Sequence, residues 1–404
     1  MFMFPLLPPL SLYVHLPWCV RKCPYCDFNS HAAHGEIPEQ AYVDALLRDL
    51  EHELPQVEGR TIQTIFLGGG TPSLFLPESI AHLLAGIRAR VSLAPDAEIT
   101  LEANPGTVDL GRFKGFRAAG INRLSIGIQS FDDEKLKALG RIHGRAEALR
   151  AAQAARAAGF DNLNLDLMFG LPGQTLEQAL ADVRAAIEQQ PTHLSVYQLT
   201  IEPNTLFHAK PPMLPDDDAI WDMQQAILAE LAAAGFKQYE VSAYARPGFE
   251  CRHNLNYWQF GDYLGIGAGT HGKLTHDGAI TRTWKLKRPE DYLDKAGTTM
   301  TIGGTQTLTP DDAAFEFMLN ALRLTGGFPA ALFAERAGLP FSIIEPALRQ
   351  AEAKGFIVRN VDTIRPTATG RRLLNDVLIL FLPDTRPKVM RAQRDEFSPF
   401  IEGS

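Results

Sequence analysis

The sequence predicts an α/β protein: a partial, open parallel β/α barrel of about six units, followed by a small winged-helix-like C-terminal domain. Three features predict it. Short β-prone runs alternate with helical stretches from residue 11 to about 245. Polar and glycine-rich positions recur just after the strands, where barrel enzymes carry their chemistry. Beyond about residue 306 the pattern becomes three helices and a hairpin.

In chain order, the strand-forming runs are Leu12–Leu16, Thr64–Leu67, Glu98–Glu102, Arg123–Gln129, Asn162–Phe169 and His193–Ile201. Helical segments at Pro38–Leu54, Pro77–Val91, Leu110–Ala119, Arg145–Ala158 and Leu176–Gln189 separate them. A further helix, Asp216–Ala234, leads into a last run at Tyr239–Ala245. Right-handed crossovers curl such units into a barrel. The first domain is therefore placed at 1–245 and a connecting segment at 246–305. A winged-helix-like domain is placed at 306–382, and 383–404 reads as a flexible tail with little periodicity.

The 404 residues exceed one ordinary core, so two or three domains are expected. Apolar residues at 45% and charged residues at 21% fit a soluble globular chain. A net charge of −8 argues against nucleic acid as a partner. The C-terminal domain agrees, since Asp311 to Asp376 holds eight acidic and eight basic residues. The apolar first ten residues lack a basic region and contain three prolines, unlike a signal peptide. The longest apolar run, Val377 to Leu382, is far short of a bilayer span. A cytoplasmic location is expected.

Four cysteines in such a chain make no disulfide framework. Three of them, Cys19, Cys23 and Cys26, fall within eight residues as C-x3-C-x2-C. Three thiolates suit an iron–sulfur cubane with one iron left open to chemistry. One alternative is a structural zinc completed by His15, His31, His34 or Cys251, although zinc ribbons usually bring two separated cysteine pairs; another is unpaired loop cysteines that hold no metal. Other candidates follow the strands: Gly68-Gly69-Gly70-Thr71, Glu102-Ala103-Asn104-Pro105, Gln129-Ser130-Phe131, Asp166 and Gly170-Leu171-Pro172-Gly173.

The segment Tyr13-Val-His15-Leu-Pro17-Trp-Cys19-x3-Cys23-x-Tyr25-Cys26 resembles the radical S-adenosylmethionine (SAM) superfamily. Within it the chain is similar to the branch holding oxygen-independent coproporphyrinogen III oxidase and the heme chaperones related to it, from Leu12 to about Leu382. The resemblance implies a [4Fe-4S] cluster whose free iron binds SAM, so that an electron splits a carbon–sulfur bond and gives a 5′-deoxyadenosyl radical. It implies Tyr13, Tyr25, Gly69 and Glu102 around that SAM. Gly70, Thr71, Gln129, Arg141 and Asp166 match positions that hold a second SAM in the oxidase branch.

Three departures separate the chain from the oxidase. Phe28 stands where the oxidase has a further cysteine, and only 18 residues precede Cys19, fewer than the oxidase's closing arm. The segment His253-Asn254-x2-Tyr257-Trp258, leading into Gly265-x-Gly267-x-Gly269-x-His271, looks like the H-N-x-x-Y-W segment of the chaperones. The resemblance thus implies a protein that binds heme and passes it to an apo-acceptor, such as a respiratory enzyme at the membrane. His253 is the first candidate for the heme iron, with Cys251 and His271 behind it and Tyr257 and Trp258 against the porphyrin. No residue is assigned a catalytic role. Decarboxylation of coproporphyrinogen and radical modification of heme remain alternatives, and monomer versus homodimer stays open.

Overall fold

The computed structural model describes residues 2–383. The part of the predicted tail beyond residue 383 lies outside the described residues.

Six strands pair side by side, all parallel: β1 (Leu10–Leu16), β2 (Thr61–Gly69), β3 (Ser92–Ala103), β4 (Arg123–Gln129), β5 (Asn162–Phe169) and β6 (His193–Gln198). Between them run α1 (Glu39–Glu53), α2 (Pro77–Arg88), α3 (Leu110–Ala119), the short α4 (Asp133–Ala138), α5 (Arg145–Ala157) and α6 (Leu176–Glu188). Local chemistry sets the helix ends. Asp109 caps α3 through the Arg112 N–H, and Gly120 closes it in the left-handed conformation. Thr175 and Gln178 form a capping box on α6.

Strand residues alternate sharply in character. Leu12, Val14 and Leu16, then Ile65 and Leu67, then Leu124, Ile126 and Ile128 belong to the core packed under the helices. The alternate positions are Tyr13 and His15, Thr64 and Phe66, Glu98, Thr100 and Glu102, Arg123 and Ser125, Asn164 and Asp166. Parallel strands buried on both faces usually read as continuous apolar runs. Here the inner face is largely polar instead.

The sheet does not stop at six strands. After α7 (Leu206–Ala209) and α8 (Asp217–Ala233), the short strands β7 (Lys237–Gln238) and β8 (Ala243–Ala245) extend one edge antiparallel. Residues 246–305, expected as a connecting segment, carry four more strands and two helices. Helix α9 (Arg252–Trp258) packs under the barrel, and β9 (Asp262–Ile266) joins β1 in parallel on its free side. Strands β10 (His271–His276), β11 (Ala279–Lys285) and β12 (Ile302–Thr307) continue antiparallel, with α10 (Pro289–Lys295) between the last two. The full order is β12-β11-β10-β9-β1-β2-β3-β4-β5-β6-β8-β7, an open sheet with two edges. A glycine-rich stretch hid β9. Gly265 is needed because a Cβ there would run into the His271 carbonyl oxygen.

The C-terminal domain has a separate core in which Phe317 packs edge-on against Phe328 and Phe333. Helices α11 (Pro310–Ala321), α12 (Ala330–Ala337) and α13 (Glu345–Ala353) precede the paired strands Ile357–Arg359 and Thr363–Pro366. Phe328–Pro329 adds a third strand just ahead of α12, pairing with Ile364 and Thr363. The winged-helix arrangement is thereby complete.

Candidate cofactor site

The cysteine segment leaves β1 and folds across the strand ends. Trp18–Cys19 pairs in parallel with His31–Ala32, which pins both ends of the loop. The Thr71 N–H donates to the Trp18 carbonyl at 2.8 Å, and the Phe207 N–H donates to the Pro24 carbonyl at 2.9 Å. The loop thus reaches from β2 to the segment after β6. It roofs a cavity of about 460 Å³ at the C-terminal ends of the parallel strands.

All three cysteines line this cavity. Each sulfur meets a different polar side chain: Thr71 Oγ1 donates to Cys19 Sγ at 3.5 Å, Arg141 Nη1 donates to Cys23 Sγ at 3.8 Å, and Ser30 Oγ lies 3.7 Å from Cys26 Sγ. Burial pushes the Cys26 thiol up to about 11 and raises Cys19 as well, so without metal these thiols stay protonated, and metal binding would release their protons. Partly buried thiols ringed by donors fit the thiolate corners of an iron–sulfur cluster. Among the described residues, no three His, Cys, Asp or Glu side chains are gathered to hold a single metal ion. Of the fourth ligands considered for zinc, Cys251 is buried with its thiol 3.6 Å from Glu98, and His15 Nε2 meets the Asn29 carbonyl at 2.9 Å.

Around the cysteines stand Tyr25, Gly69, Gly70, Thr71, Glu102, Gln129, Arg141 and Asp166, all lining the same cavity. Gly69 has φ +114°, and a Cβ there would strike the His15 ring, so only bare backbone fits. Its N–H donates to Glu102 Oε2 at 3.1 Å. Burial, with Asp166 close by, raises the Glu102 carboxyl to about 8. Asp166 is raised by burial too, and accepts from Asn164 at 2.7 Å and from Ser125 at 3.1 Å. Arg141 also donates to the Gly127 carbonyl at 2.8 Å. Gln129 ends β4 at φ +69°, an uncommon conformation for a non-glycine residue. Tyr13 sits beneath this group, its hydroxyl 3.2 Å from His15 Nδ1. Two carboxylates, exposed backbone and a guanidinium suit a ligand with hydroxyls, an amine and a carboxylate, as SAM has.

The H-N-x-x-Y-W residues do not share this cavity. His253 is 0% exposed on α9. Its Nδ1 lies 2.7 Å from Thr64 Oγ1 and its Nε2 3.0 Å from Tyr257 Oη. Burial and the nearby Arg123 lower this imidazole to about 3. With both nitrogens engaged, the first candidate for the heme iron sits within the packing of α9 in this conformation. Tyr257 packs edge-on between His253 and Tyr263, and Trp258 is buried under Arg323. His271 lies beside Trp284 on β10 and β11.

Sequence reasoning missed the wall built from Met168, Tyr197, Leu199 and Val241, and above all Arg323, which comes from beyond α11. No local signal marks Arg323, because only the docking of the C-terminal domain brings it to the barrel.

Residues 13–186 match the Radical SAM superfamily, and residues 308–373 match the HemN C-terminal domain. The chain is 53% identical to the heme chaperone HemW of Escherichia coli, over 94% of this chain and 99% of that one. It is 34% identical to the heme chaperone HemW of Bacillus subtilis, over 92% and 99%. Among solved structures, coproporphyrinogen III oxidase (HemN) from Escherichia coli, a radical SAM enzyme, superposes with a TM-score of 0.78 at 25% identity, covering 93% of this chain and 90% of that one. Among the described residues no helix is long and apolar enough to cross a membrane.

Proposed function

We propose a heme-chaperone function from one premise: the chain belongs to the radical SAM superfamily and, within it, to the family of HemW heme chaperones. It binds heme and hands it to an apo-protein acceptor. Cys19, Cys23 and Cys26 hold three corners of a [4Fe-4S] cluster, and Tyr25, Gly69, Gly70, Thr71, Glu102, Gln129, Arg141 and Asp166 hold SAM beside it, with Tyr13 behind them. When bound, the cluster and SAM together supply reductive cleavage of a carbon–sulfur bond.

The chain's own residues orient and shield. Gly69 offers backbone without a side chain, and Glu102 and Asp166 accept from a ligand amine or ribose hydroxyls. Arg141 fixes the roof by joining Cys23 to the Gly127 carbonyl, and stands ready for a carboxylate. The cysteine loop, tied to Thr71 and Phe207, holds the three thiols against the cavity.

One observation carries the chaperone reading: identity to proteins named as heme chaperones reaches 53% across nearly the whole chain, against 25% for the oxidase of like fold. The test is an anaerobic titration with heme followed by transfer to an apo-heme protein. A Soret band should grow on the chain and move to the acceptor. Coproporphyrinogen III, offered with SAM and reductant, should give no sustained protoporphyrinogen; steady turnover would overturn the reading in favour of the oxidase.

A further inference from the structure

One wall of the cavity belongs to the C-terminal domain. Arg323 follows α11 yet lines the cavity beside Tyr197, Val241 and Ser242. Its side chain is only 13% exposed. The guanidinium lies over the Trp258 ring at 4.2 Å, and Nη2 donates to Glu240 Oε2 at 3.1 Å. Glu240 is held in turn by the Ser242 N–H, which donates to its other oxygen at 2.9 Å. The stack and the ion pair therefore fix the plane of the fork at the cavity edge.

Arg323 Nε is buried without a partner. Glu240 engages one nitrogen, so the guanidinium keeps unused donors on a residue that lines the cavity together with the apolar side chains Met168, Leu199 and Val241. Glu240 supplies the counter-charge, but a largely buried guanidinium with unused donors still gains from a further acceptor. An apolar wall with one rigid guanidinium at its rim suits a ligand that is itself apolar with carboxylate arms.

We propose that Arg323 grips a propionate of the tetrapyrrole, so that the C-terminal domain completes the porphyrin site of the barrel. The proposal rests on the heme-chaperone reading above. Trp258 thereby acquires a definite role, in which the indole supports the guanidinium from behind and does not face the porphyrin. The barrel and the winged domain then close on the ligand together.

The test compares heme with heme dimethyl ester, which lacks the charged arms, in anaerobic Soret titrations of the full chain. R323Q should weaken heme binding at least about tenfold and leave ester binding nearly unchanged, with R323K in between. The double variant E240Q/R323Q removes the buried carboxylate that R323Q would leave unpaired, and should show the same selective loss in a stable fold. Equal losses for heme and ester, or none, would overturn the proposal. A loss of SAM affinity with heme binding intact would assign the carboxylate to SAM and also overturn it. If the unaltered chain binds no heme at all, the parent reading falls, and this one with it.

Discussion

Glu102 shows how one carboxyl ties structure to chemistry at the barrel mouth. It accepts the Gly69 N–H, faces Asp166, and is held neutral by burial until the pH reaches about 8. A carboxyl raised in the fold stabilises below its unfolded value near 4.5, and that contribution is lost as the pH climbs through about 8. The metal-free chain should therefore lose stability to denaturant across this window, and Glu102→Gln should flatten the slope. An unchanged slope in the variant would mean that another buried acid dominates. His253 makes the opposite point. Replacing it by alanine leaves Thr64 and Tyr257 without their imidazole partner, which should cost about 1–3 kcal/mol of unfolding free energy. Because the ring is sealed under the barrel, the heme spectrum should persist in His253→Ala. A vanished Soret band would show instead that α9 opens to admit iron.

At the level of elements, the surprise is β9, which docks against β1 and carries three antiparallel strands with it. Its anchor is Asp262, 0% exposed, whose carboxylate meets Lys273 at 2.9 Å, Arg60 at 2.9 Å, and both the backbone and hydroxyl of Thr275. Burial alone would raise this acid, but Lys273 and Arg60 hold it below the usual carboxylate range. Removing one member of such a pair strands the other charge in the interior. Asp262→Ala should thus destabilise the fold by about 3–5 kcal/mol, read from a denaturant midpoint, whereas losing a solvent-screened surface pair such as Arg184–Glu230 should barely move that midpoint. A loss for Asp262→Ala as small as that would argue that β9 frays free of the sheet.

For the molecule as a whole, two apolar cores meet at the barrel's side. Phe260 and Ile280 of the sheet segment join the cluster centred on Phe317, so the winged domain is not strung on a bare linker. The Thr325 N–H donates to the Tyr239 carbonyl at 3.0 Å and its hydroxyl to the Gln238 carbonyl at 2.8 Å, fixing the chain just after Arg323 to β7 and the turn that follows it. The N-terminal strap also crosses over: the Met3 N–H donates to the Gly338 carbonyl at 2.9 Å, with Phe2 and Phe4 packed on the same core. A cavity walled by two domains can sense both, which suits a carrier that must hold its ligand and then release it.

The βα alternation, the winged domain and the cysteine trio were all legible in the chain before folding, because strand period, helix caps and cysteine spacing are local properties. So was the placing of Gly69, Glu102, Gln129 and Asp166 at strand ends, where parallel topology delivers them to one rim. Three outcomes needed the folded molecule: 246–305 extends the sheet, His253 is sealed beneath the barrel, and Arg323 reaches the cavity. Those outcomes depend on partners far apart in the chain, Asp262 with Leu10, His253 with Thr64, Arg323 with Glu240. Register and docking between distant segments leave no mark in a local window, whereas period and spacing do.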